Sequence, residues 1–480
     1  MSTHPLEELI HPRSIAVIGA SASGRGDGFL SPLVQQGFKG ALYPVNPKYS
    51  EVMGLKAYAR VRDIPGPVDY VISSIPAAGV LELIADCAEK GVKIIHLFTA
   101  RFSETGRRDA TELEQEILRQ AKKANIRLIG PNCLGLYYPA EGIAFDGGMP
   151  KESGAVGLAS QSGQAVEEIA GSASQRGIYF SKAFSYGNAI DFNECDYLDY
   201  FAQDPETKLI IMYIEGVRDG PRFLNSLRAA AAVKPVIILK GGRGEAGTRA
   251  TASHTASLAG SREIWNTLVN QAGAVTAEDI KELVDIALAF NFLPAIRRRN
   301  VGVVGGSGGS SVMAADLCEE AGLNVIPLPD VIRQELKSKG NAIWDWIGNP
   351  ADFSISMGDE SSAKQVAKLM VDHPDFDFLI TFVSGPWRLG PEPFSLEQHI
   401  ARYSLNDMKN KPVVMVFQDT ARYYISDSEM QEYDKIVAEM QARFIQDGYP
   451  IYPDIKRAAS AVSRMISYYE KYGLVDFQTT

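Results

Sequence analysis

The chain has 480 residues, of which 45% are hydrophobic and 22% charged, as is usual for a globular protein large enough to form several cores. Its 48 basic and 58 acidic residues give a net charge of −10, and no long basic run occurs, so we expect neither nucleic acid nor a membrane as a partner. The four cysteines are widely spaced, which argues against a disulfide framework or a zinc site. Because no signal-peptide pattern or membrane-length apolar run is present, we expect a cytoplasmic protein.

The first third of the chain alternates short apolar runs with segments of helical spacing. The predicted strands are 14–21, 41–46, 69–76, 92–98 and 126–132, and the predicted helices are 77–91 and 106–125. Alternation of this kind predicts a parallel sheet covered by helices. Gly91 suits the end of the first of these helices, and a turn-rich segment at 137–154 separates this unit from the next.

The same pattern restarts twice. Strand, glycine turn and helix follow one another at 14–29, 155–170 and 301–316. Further strands are predicted near 179–188, 208–216, 234–242, 376–385 and 411–419, and further helices at 220–232, at about 261–271 and at about 277–291. We therefore predict an α/β protein with domains at 1–145, 146–293 and 298–480, the first of them Rossmann-like.

The first glycine turn, "GASASGRGDG" at 19–28, is typical of a phosphate cradle, because backbone N–H groups and a helix N-terminus face the same point. Lys48 closely follows the second strand, where an NAD site would take an acidic residue, so a ribose with an extra phosphate is favoured. Coenzyme A and NADP both carry one. Ser74, Pro76 and Asn132 follow later strands, at the edge where parallel sheets bind ligands.

One of the six histidines, His254, lies in a segment of small residues, "TASHTASLAG" at 251–260. A core histidine would have apolar neighbours, and a metal ligand would have a nearby acid, whereas the nearest is Glu245. A general base or a covalent nucleophile remains, since a neutral imidazole can attack phosphorus directly.

A nucleophilic imidazole needs an anchor for its second nitrogen and an anion site nearby. Glu215, at the end of "IMYIEG", is a candidate anchor in the same predicted domain. The segment "SQSG", with Ser160, Gln161, Ser162 and Gly163, leads from a strand into a helix and is a candidate phosphate-binding turn.

Several of these motifs together resemble the α-type part of the NDP-forming acyl-CoA synthetases. The likeness is greatest to the ADP-forming acetyl-CoA synthetases and more distant to succinyl-CoA synthetase. It is carried in family order by "HPRSIAVIGAS", "YPVNPKY", "GPNCLG", "SQSG", "YGNAIDFNECDYLDY", "YIEG", "KGGRGEAGTRATASHTASLAG" and "GNPADF". The resemblance implies a CoA-binding Rossmann-like domain followed by two flavodoxin-like domains.

The resemblance also implies the reaction. Acyl-CoA, ADP and phosphate interconvert with a carboxylic acid, CoA and ATP through an acyl phosphate and a phosphohistidine. His254 is implied to carry the phosphoryl group, and Glu215 to orient its ring. The residues implied to hold phosphate are Ser160, Gln161, Ser162 and Gly163. The residues implied to line the CoA site are Gly19, Ser21, Lys48, Ser74, Pro76 and Asn132.

The ATP-grasp part of that family has no counterpart after residue 300. The resemblance therefore implies a separate β-type subunit that binds ATP or ADP and Mg²⁺, in an α2β2 assembly, while this chain holds no metal. The identity of the small carboxylic acid stays open. Two alternatives also stay open: a non-catalytic CoA-binding scaffold, and an NADP-dependent dehydrogenase, which would leave His254 without a role.

Overall fold

The computed structural model describes residues 4–21, 28–247, 262–340, 344–352, 360–386, 395–403 and 411–473. It divides into two compact units, Met1–Leu283 and Val284–Thr480. The first unit contains two large sheets, and the second unit contains one.

The first sheet is parallel throughout. Its region contains the strands β1 (Ser14–Ile18), β2 (Ala41–Val45), β3 (Glu51–Val52), β4 (Leu55–Lys56), β5 (Tyr70–Ser73), β6 (Ile94–Leu97) and β7 (Arg127–Ile129). Its helices are α1 (Leu30–Gln36), α2 (Val80–Lys90) and α3 (Arg108–Lys123). The strand order is β2-β1-β5-β6-β7, with β3 and β4 forming a separate hairpin. The order in which strands are added reverses here: β2 lies on one side of β1, and β5, β6 and β7 lie on the other side. This reversal of strand order opens a crevice between the carboxyl ends of β1 and β5.

Burial explains why these strands are nearly continuous apolar runs. Every residue of β1, β5 and β6 is buried, as expected for a parallel sheet covered by helices. Helix α2 turns the face with Leu83, Ile84 and Cys87 toward this core, and it ends at Gly91, which is left-handed at φ +78° as its place in the sequence predicts.

The second sheet has the same reversal. Its strands are β8 (Gly135–Tyr137), β9 (Ser153–Ser160), β10 (Phe180–Ser185), β11 (Leu209–Ile214), β12 (Val236–Lys240) and β13 (Val275–Ala277). Its helices are α4 (Gly163–Ser174), α5 (Glu194–Gln203), α6 (Gly220–Val233) and α7 (Arg262–Ala272). Helix α8 (Ile280–Phe292) follows β13 in the chain, and its residues from Val284 onward belong to the second unit. The order is β13-β12-β11-β9-β10-β8, so the reversal lies between β9 and β11. Only β8, at the edge, runs antiparallel to its neighbour.

Several details of this region differ from the sequence prediction, among them the helix α5, which was not predicted. The edge strand β8 was not predicted, because its three residues give too short a pattern to detect. The helix predicted over about 277–291 begins at Ile280, because residues 275–277 pair with β12 instead.

The second unit has a parallel sheet in chain order. Its strands are β14 (Val301–Val304), β15 (Phe378–Val383), β16 (Val413–Phe417) and β17 (Ile451–Tyr452). Its helices are α9 (Gly308–Glu320), α10 (Asp330–Ser338), α11 (Glu360–Asp372), α12 (Leu396–Tyr403), α13 (Met430–Gln446) and α14 (Ile455–Tyr472). Asn349 of the "GNPADF" segment accepts a hydrogen bond from the Val303 N–H at 2.9 Å and donates to the Val301 carbonyl at 2.9 Å, so this motif braces β14.

Together the sheets confirm the predicted α/β class with mostly parallel strands. The boundaries at residues 145 and 298 stay a prediction. No helix among the described residues is both long enough and apolar enough to cross a bilayer.

Candidate functional site

The crevice of the first sheet brings Gly19 and Ser74 together. Gly19 follows β1 at φ +88°, and a Cβ added to it would lie 2.8 Å from the Ser74 Oγ. The Ser74 hydroxyl donates to the Ile18 carbonyl at 2.9 Å. Only glycine fits this place without strain or a clash, and its bare backbone forms the kind of cradle that a phosphate-bearing ligand approaches closely.

Lys48 lies at the outer side of the same crevice. Asn46 donates from its amide to the Ala20 carbonyl at 2.7 Å and accepts from the Lys48 N–H at 3.0 Å, so the loop after β2 is tied to the loop after β1. The Lys48 side chain is exposed at this edge. Ser21 follows Ala20 on the first loop, and Pro76 begins the turn that leads from β5 into α2.

Asn132 is placed at the inner side of the edge. Its N–H donates to the Thr99 carbonyl at 2.9 Å, and the Thr99 hydroxyl donates to the Ile75 carbonyl at 2.7 Å. Asn132 is left-handed at φ +59° and follows the cis Gly130–Pro131 bond. The loops after β5, β6 and β7 therefore form one continuous edge from Ser74 to Asn132.

The crevice of the second sheet brings Gln161 and Glu215 together. The Gln161 N–H donates to the Tyr213 carbonyl at 3.1 Å. Its side-chain oxygen accepts from the N–H groups of Glu215 at 2.5 Å and Gly216 at 2.9 Å. Gln161 and Glu215 are both buried, so these bonds fix the backbone that carries the Glu215 side chain. The predicted anchor and the predicted phosphate turn thus meet at one point of the sheet.

The two serines of that turn have different environments. Ser160 is fully buried, accepts from the Ser162 N–H at 3.1 Å and donates to the Ser162 carbonyl at 2.7 Å. Ser162 caps α4 by accepting from the Ala165 N–H at 3.3 Å. Within the described part of the chain, the N–H groups of Gly163 and Gln164 have no hydrogen-bond acceptor. This helix start therefore offers two backbone donors, while Ser160 braces the turn from inside.

Lys240 is a residue of this site that the sequence did not single out. It ends β12, is 6% exposed and donates through Nζ to the Glu215 carbonyl at 2.7 Å and to the Gly241 carbonyl. Burial lowers the pKa of its ammonium group. The signal for it in the sequence was a lysine between an apolar strand and two glycines. Its ammonium group adds a cation beside the Glu215 loop.

His254 lies outside the described residues. The segment that contains it leaves the second sheet at Gly241, where a Cβ would lie 2.6 Å from the Tyr213 Oη and 3.2 Å from the Glu215 Cγ. The described chain resumes at α7. Among the described residues, it is therefore Gly241, the first residue after β12, that lies directly beside the Glu215 side chain.

The two crevices adjoin through residues 130–135. The Leu134 N–H donates to the Ser185 Oγ at 3.0 Å, and a Cβ on Gly163 would lie 2.9 Å from the Leu134 Cγ. The segment that follows β7 therefore runs from the edge of the first sheet to the start of α4. The candidate ligand edge and the candidate phosphate turn share this segment.

Gly187 makes the closest approach at this junction, and replacing it should destabilise the fold. It is left-handed at φ +52°, and a Cβ would lie 2.2 Å from the Pro131 carbonyl oxygen and 2.3 Å from that of Asn132. We expect Gly187→Ala to lower the free energy of unfolding by about 2–4 kcal/mol in denaturant titrations. The control Gly171→Ala, in α4 with open space around it, should leave stability unchanged or raise it by about 0.5–1 kcal/mol. Equal stabilities of the two variants would contradict this packing.

Asn188 connects the loops around the junction and was also missed from sequence. Its buried amide donates to the Glu104 Oε2 at 2.7 Å and to the Glu114 Oε2 at 2.9 Å. Its carbonyl accepts from the Arg218 guanidinium at 2.6 Å. The loop after β6 and the loop after β11 therefore both bind Asn188, the first through its side chain and the second through its backbone carbonyl. The surrounding motif "YGNAIDFNECDYLDY" was noticed, but nothing in it distinguished this asparagine.

His96 predicts a pH dependence of stability. It is buried in β6, its Nε2 lies 3.0 Å from the Cys133 carbonyl oxygen, and Gly135 leaves room for its ring. Burial lowers the pKa of its imidazole from 6.5 to about 4, so the ring is neutral in the folded chain and Nε2–H donates. Between these values the unfolded chain binds more protons, so stability falls as the pH drops from 6.5 toward 4.

As the pH falls from 6.5 to 4, we expect the free energy of unfolding of the wild type to fall by about 3 kcal/mol relative to that of His96→Gln. Denaturant titrations at several pH values measure the difference. The exposed His11→Gln change is the control and should follow the wild type. Parallel curves of unfolding free energy against pH for the wild type and His96→Gln would show that His96 is not held neutral.

Comparisons with known families match two parts of the chain. The CoA binding domain family matches residues 13–139, and the succinyl-CoA ligase like flavodoxin domain family matches residues 153–290. These ranges contain the first and the second sheet crevice, respectively.

Known relatives cover between 70% and 98% of the chain. The acetate–CoA ligase (ADP-forming) II subunit alpha of Pyrococcus furiosus is 33% identical over 469 residues, which are 98% of this chain and 99% of the relative. The acetate–CoA ligase (ADP-forming) of Methanocaldococcus jannaschii is 37% identical over 337 residues, which are 70% of this chain and 47% of the relative. The structure of the dinucleotide-forming acetyl-coenzyme A synthetase 1 of Ca. Korarchaeum cryptofilum, in complex with phosphate and ADP, matches with a TM-score of 0.81, 30% identity and 98% coverage of both chains.

Proposed function

The chain belongs to the family of ADP-forming acid–CoA ligases as an α-type subunit, and from this premise we propose which reaction its two crevices perform. Acyl-CoA, ADP and phosphate interconvert with a carboxylic acid, CoA and ATP. The observation that carries the proposal is the pairing of Gln161 with the backbone of Glu215, whose side chain lies next to Gly241, the residue that follows β12. Neither an NADP-dependent dehydrogenase nor a scaffold needs this arrangement.

The first step would join phosphate to the acyl group. A phosphate oxygen attacks the thioester carbonyl carbon, the C–S bond breaks, and CoA leaves as a thiolate that takes up a proton. The product is an acyl phosphate. The N–H groups of Gly163 and Gln164 at the start of α4 are suited to hold the phosphate oxygens, because a helix N-terminus offers free donors and a positive field.

The second step would transfer the phosphoryl group to this chain. One imidazole nitrogen of His254 attacks phosphorus, the P–O bond to the acyl group breaks, and the carboxylic acid leaves as its carboxylate. The Glu215 carboxylate would accept a hydrogen bond from the other ring nitrogen, which fixes the tautomer and stabilises the positive charge on the ring. The phosphohistidine then passes its phosphoryl group to ADP and returns to the free imidazole.

Coenzyme A would lie along the edge of the first sheet. Gly19 and Ser74 form the cradle, Lys48 suits the 3′-phosphate, and Asn132 marks the end that adjoins the phosphate turn. Ser21 and Pro76 lie on the loops that border this path. The support is chemical: a bare glycine turn, a lysine and a row of backbone groups at a crevice are suited to a phosphorylated, extended ligand.

The nucleotide would be bound by a partner. We propose a β-type ATP-grasp subunit that holds ATP or ADP with Mg²⁺, assembled as α2β2 in the cytosol. Among the described residues no cluster of acidic, histidine and cysteine side chains could hold a metal ion. The M. jannaschii relative is about twice as long as the part that matches, which supports an activity that needs more than this chain.

Turnover tests the proposal. The purified chain and its partner subunit would be incubated with ADP, Mg²⁺ and a panel of acyl-CoA thioesters that includes acetyl-CoA, the substrate suggested by the relatives' names. Release of free CoA thiol should require phosphate, ADP and both subunits. NADP-dependent redox chemistry would favour the dehydrogenase, and tight CoA binding without any turnover would favour the scaffold.

A further inference from the structure

Arg101 has an unfavourable backbone conformation and an exposed charge. It lies on the loop after β6 at φ +79°, a left-handed conformation that L residues other than glycine rarely adopt. Its side chain is exposed, and within the described residues its guanidinium makes no hydrogen bond or ion pair. An arginine kept where glycine would be relaxed points to a use for its charge.

Strained positions of this kind gather at the junction of the two crevices. Among the described residues, the non-glycine positions with positive φ are Met53, Arg101, Asn125, Asn132 and Ala189. Three of them, Arg101, Asn132 and Ala189, lie on loops that contact one another through Thr99, Pro131 and Asn188. Such clustering is typical of ligand sites rather than of scaffold turns.

The loop that carries Arg101 is held firmly. The Glu104 Oε1 accepts from the Arg101 N–H at 2.5 Å, and the Glu104 Oε2 accepts from the Phe102 N–H at 3.0 Å and from the Asn188 amide at 2.7 Å. The carboxylate thus stabilises the left-handed turn and ties it to the second sheet region. The Arg101 position is fixed while its guanidinium stays available.

The position of this loop indicates which end of the ligand it would meet. Lys48 lies at one side of the edge and Asn132 at the other, and the Asn132 N–H donates to Thr99, two residues before Arg101. The start of α4 adjoins the Asn132 side through Leu134. If the nucleotide part of CoA lies toward Lys48, the reacting thioester end lies toward Arg101.

We propose that Arg101 is an anion-binding residue at the thioester end of the site, where it binds an oxyanion of the reacting partners. This rests on the proposed function. The oxyanion has two possible sources of the same chemistry: a second carboxylate on the acyl group, or the inorganic phosphate. In the first case the chain takes dicarboxylic acids, and in the second case Arg101 helps to bring phosphate to the thioester.

Arg101→Gly is a suitable test because it relieves the backbone strain. The melting temperature of the variant should be no lower than that of the wild type, so a loss of binding cannot be ascribed to misfolding. Arg107→Gly is the matched control. Arg107 is exposed, lies further along the same loop and is paired with Asp109, and its replacement removes the same charge from the same region.

Binding to the full chain would be measured by calorimetry with CoA, acetyl-CoA and succinyl-CoA, and by equilibrium dialysis with labelled phosphate in the presence of CoA. We expect Arg101→Gly to weaken the affinity for either succinyl-CoA or phosphate by about 10-fold or more, which is the effect of losing a charge-assisted hydrogen bond. A loss of affinity for succinyl-CoA but not for acetyl-CoA would identify the second acyl carboxylate as the oxyanion that Arg101 binds. A loss of affinity for phosphate would identify inorganic phosphate as that oxyanion.

Four results would overturn the inference. Unchanged affinities for all ligands, or an equal loss in Arg107→Gly, would leave Arg101 without a specific anion. An equal loss for CoA, acetyl-CoA and succinyl-CoA would place its contact on the CoA phosphates instead of the thioester end. A wild-type chain that binds no CoA compound would refute the proposed function itself, and this inference with it, so the two failures can be told apart.

Discussion

His254→Ala is expected to abolish the ADP- and phosphate-dependent cleavage of acyl-CoA by the assembled enzyme, with a fall in kcat of about 10⁴-fold or more. The reason is that His254 is the proposed carrier of the phosphoryl group, and alanine cannot accept a phosphoryl group. The measurement is release of CoA thiol by the variant together with the partner subunit, at saturating substrate.

The control for this prediction is His11→Ala. His11 is exposed, and among the described residues its ring nitrogens contact Glu7 and Glu141, so its loss should leave kcat unchanged. CoA should bind His254→Ala as tightly as the wild type, because the proposed CoA edge belongs to the first sheet. Turnover by His254→Ala within a few-fold of the wild type would refute the phosphohistidine step.

Glu215→Gln is expected to lower kcat by about 10²–10⁴-fold while the fold stays intact. The substitution keeps size and shape but removes the charge that would orient the imidazole and stabilise its positive form. The Gln161 side chain bonds to the backbone of Glu215, not to its carboxylate, so the loop should keep its place. The control Glu168→Gln, an exposed carboxylate on α4, should keep full activity. A normal kcat in Glu215→Gln would remove Glu215 from the mechanism.

Gln161 allows this result to be checked through a second residue. Gln161→Ala leaves the buried N–H groups of Glu215 and Gly216 without their acceptor, so the carboxylate should lose its fixed position. If Gln161 acts through Glu215, the double variant with Glu215→Gln should be no less active than Glu215→Gln alone. Additive losses would show that Gln161 acts on its own, for example on phosphate.

The fold could be predicted from sequence because its strands are buried on both faces. Apolar runs such as residues 14–18 and 236–240 are long enough to be recognised, and glycines such as Gly91 mark helix ends. Some short strands could not be predicted. The strands β8 and β13 have three residues each, and only their pairing with β10 and β12 makes them strands.

The meeting of Gln161 and Glu215 could be anticipated in part. Both follow parallel strands, and the ends of such strands lie at one edge of a sheet. The sequence could not show that β9 and β11 are neighbouring strands in the sheet. Because they are neighbours, Gln161 and Glu215 contact each other directly.

Residues that act through long-range contacts could not be assigned a role from the sequence. Asn188 lies 74 residues from Glu114 in the chain, and its amide is indistinguishable from a turn asparagine until the loops are assembled. The strain at Arg101 is a property of the backbone angle, which the residue type would not suggest. Lys240 reads as the solvated end of a strand, whereas its ammonium group is buried against the Glu215 carbonyl.

The most direct test of the central claim is the transfer of phosphate to this chain. The purified chain with its partner subunit would be incubated with an acyl-CoA and radiolabelled phosphate, and the label on the chain followed through acid and base. The account predicts an acyl-CoA-dependent, acid-labile and base-stable label at His254 that is discharged by ADP. A preparation that turns over acyl-CoA but takes up no label on this chain would contradict it.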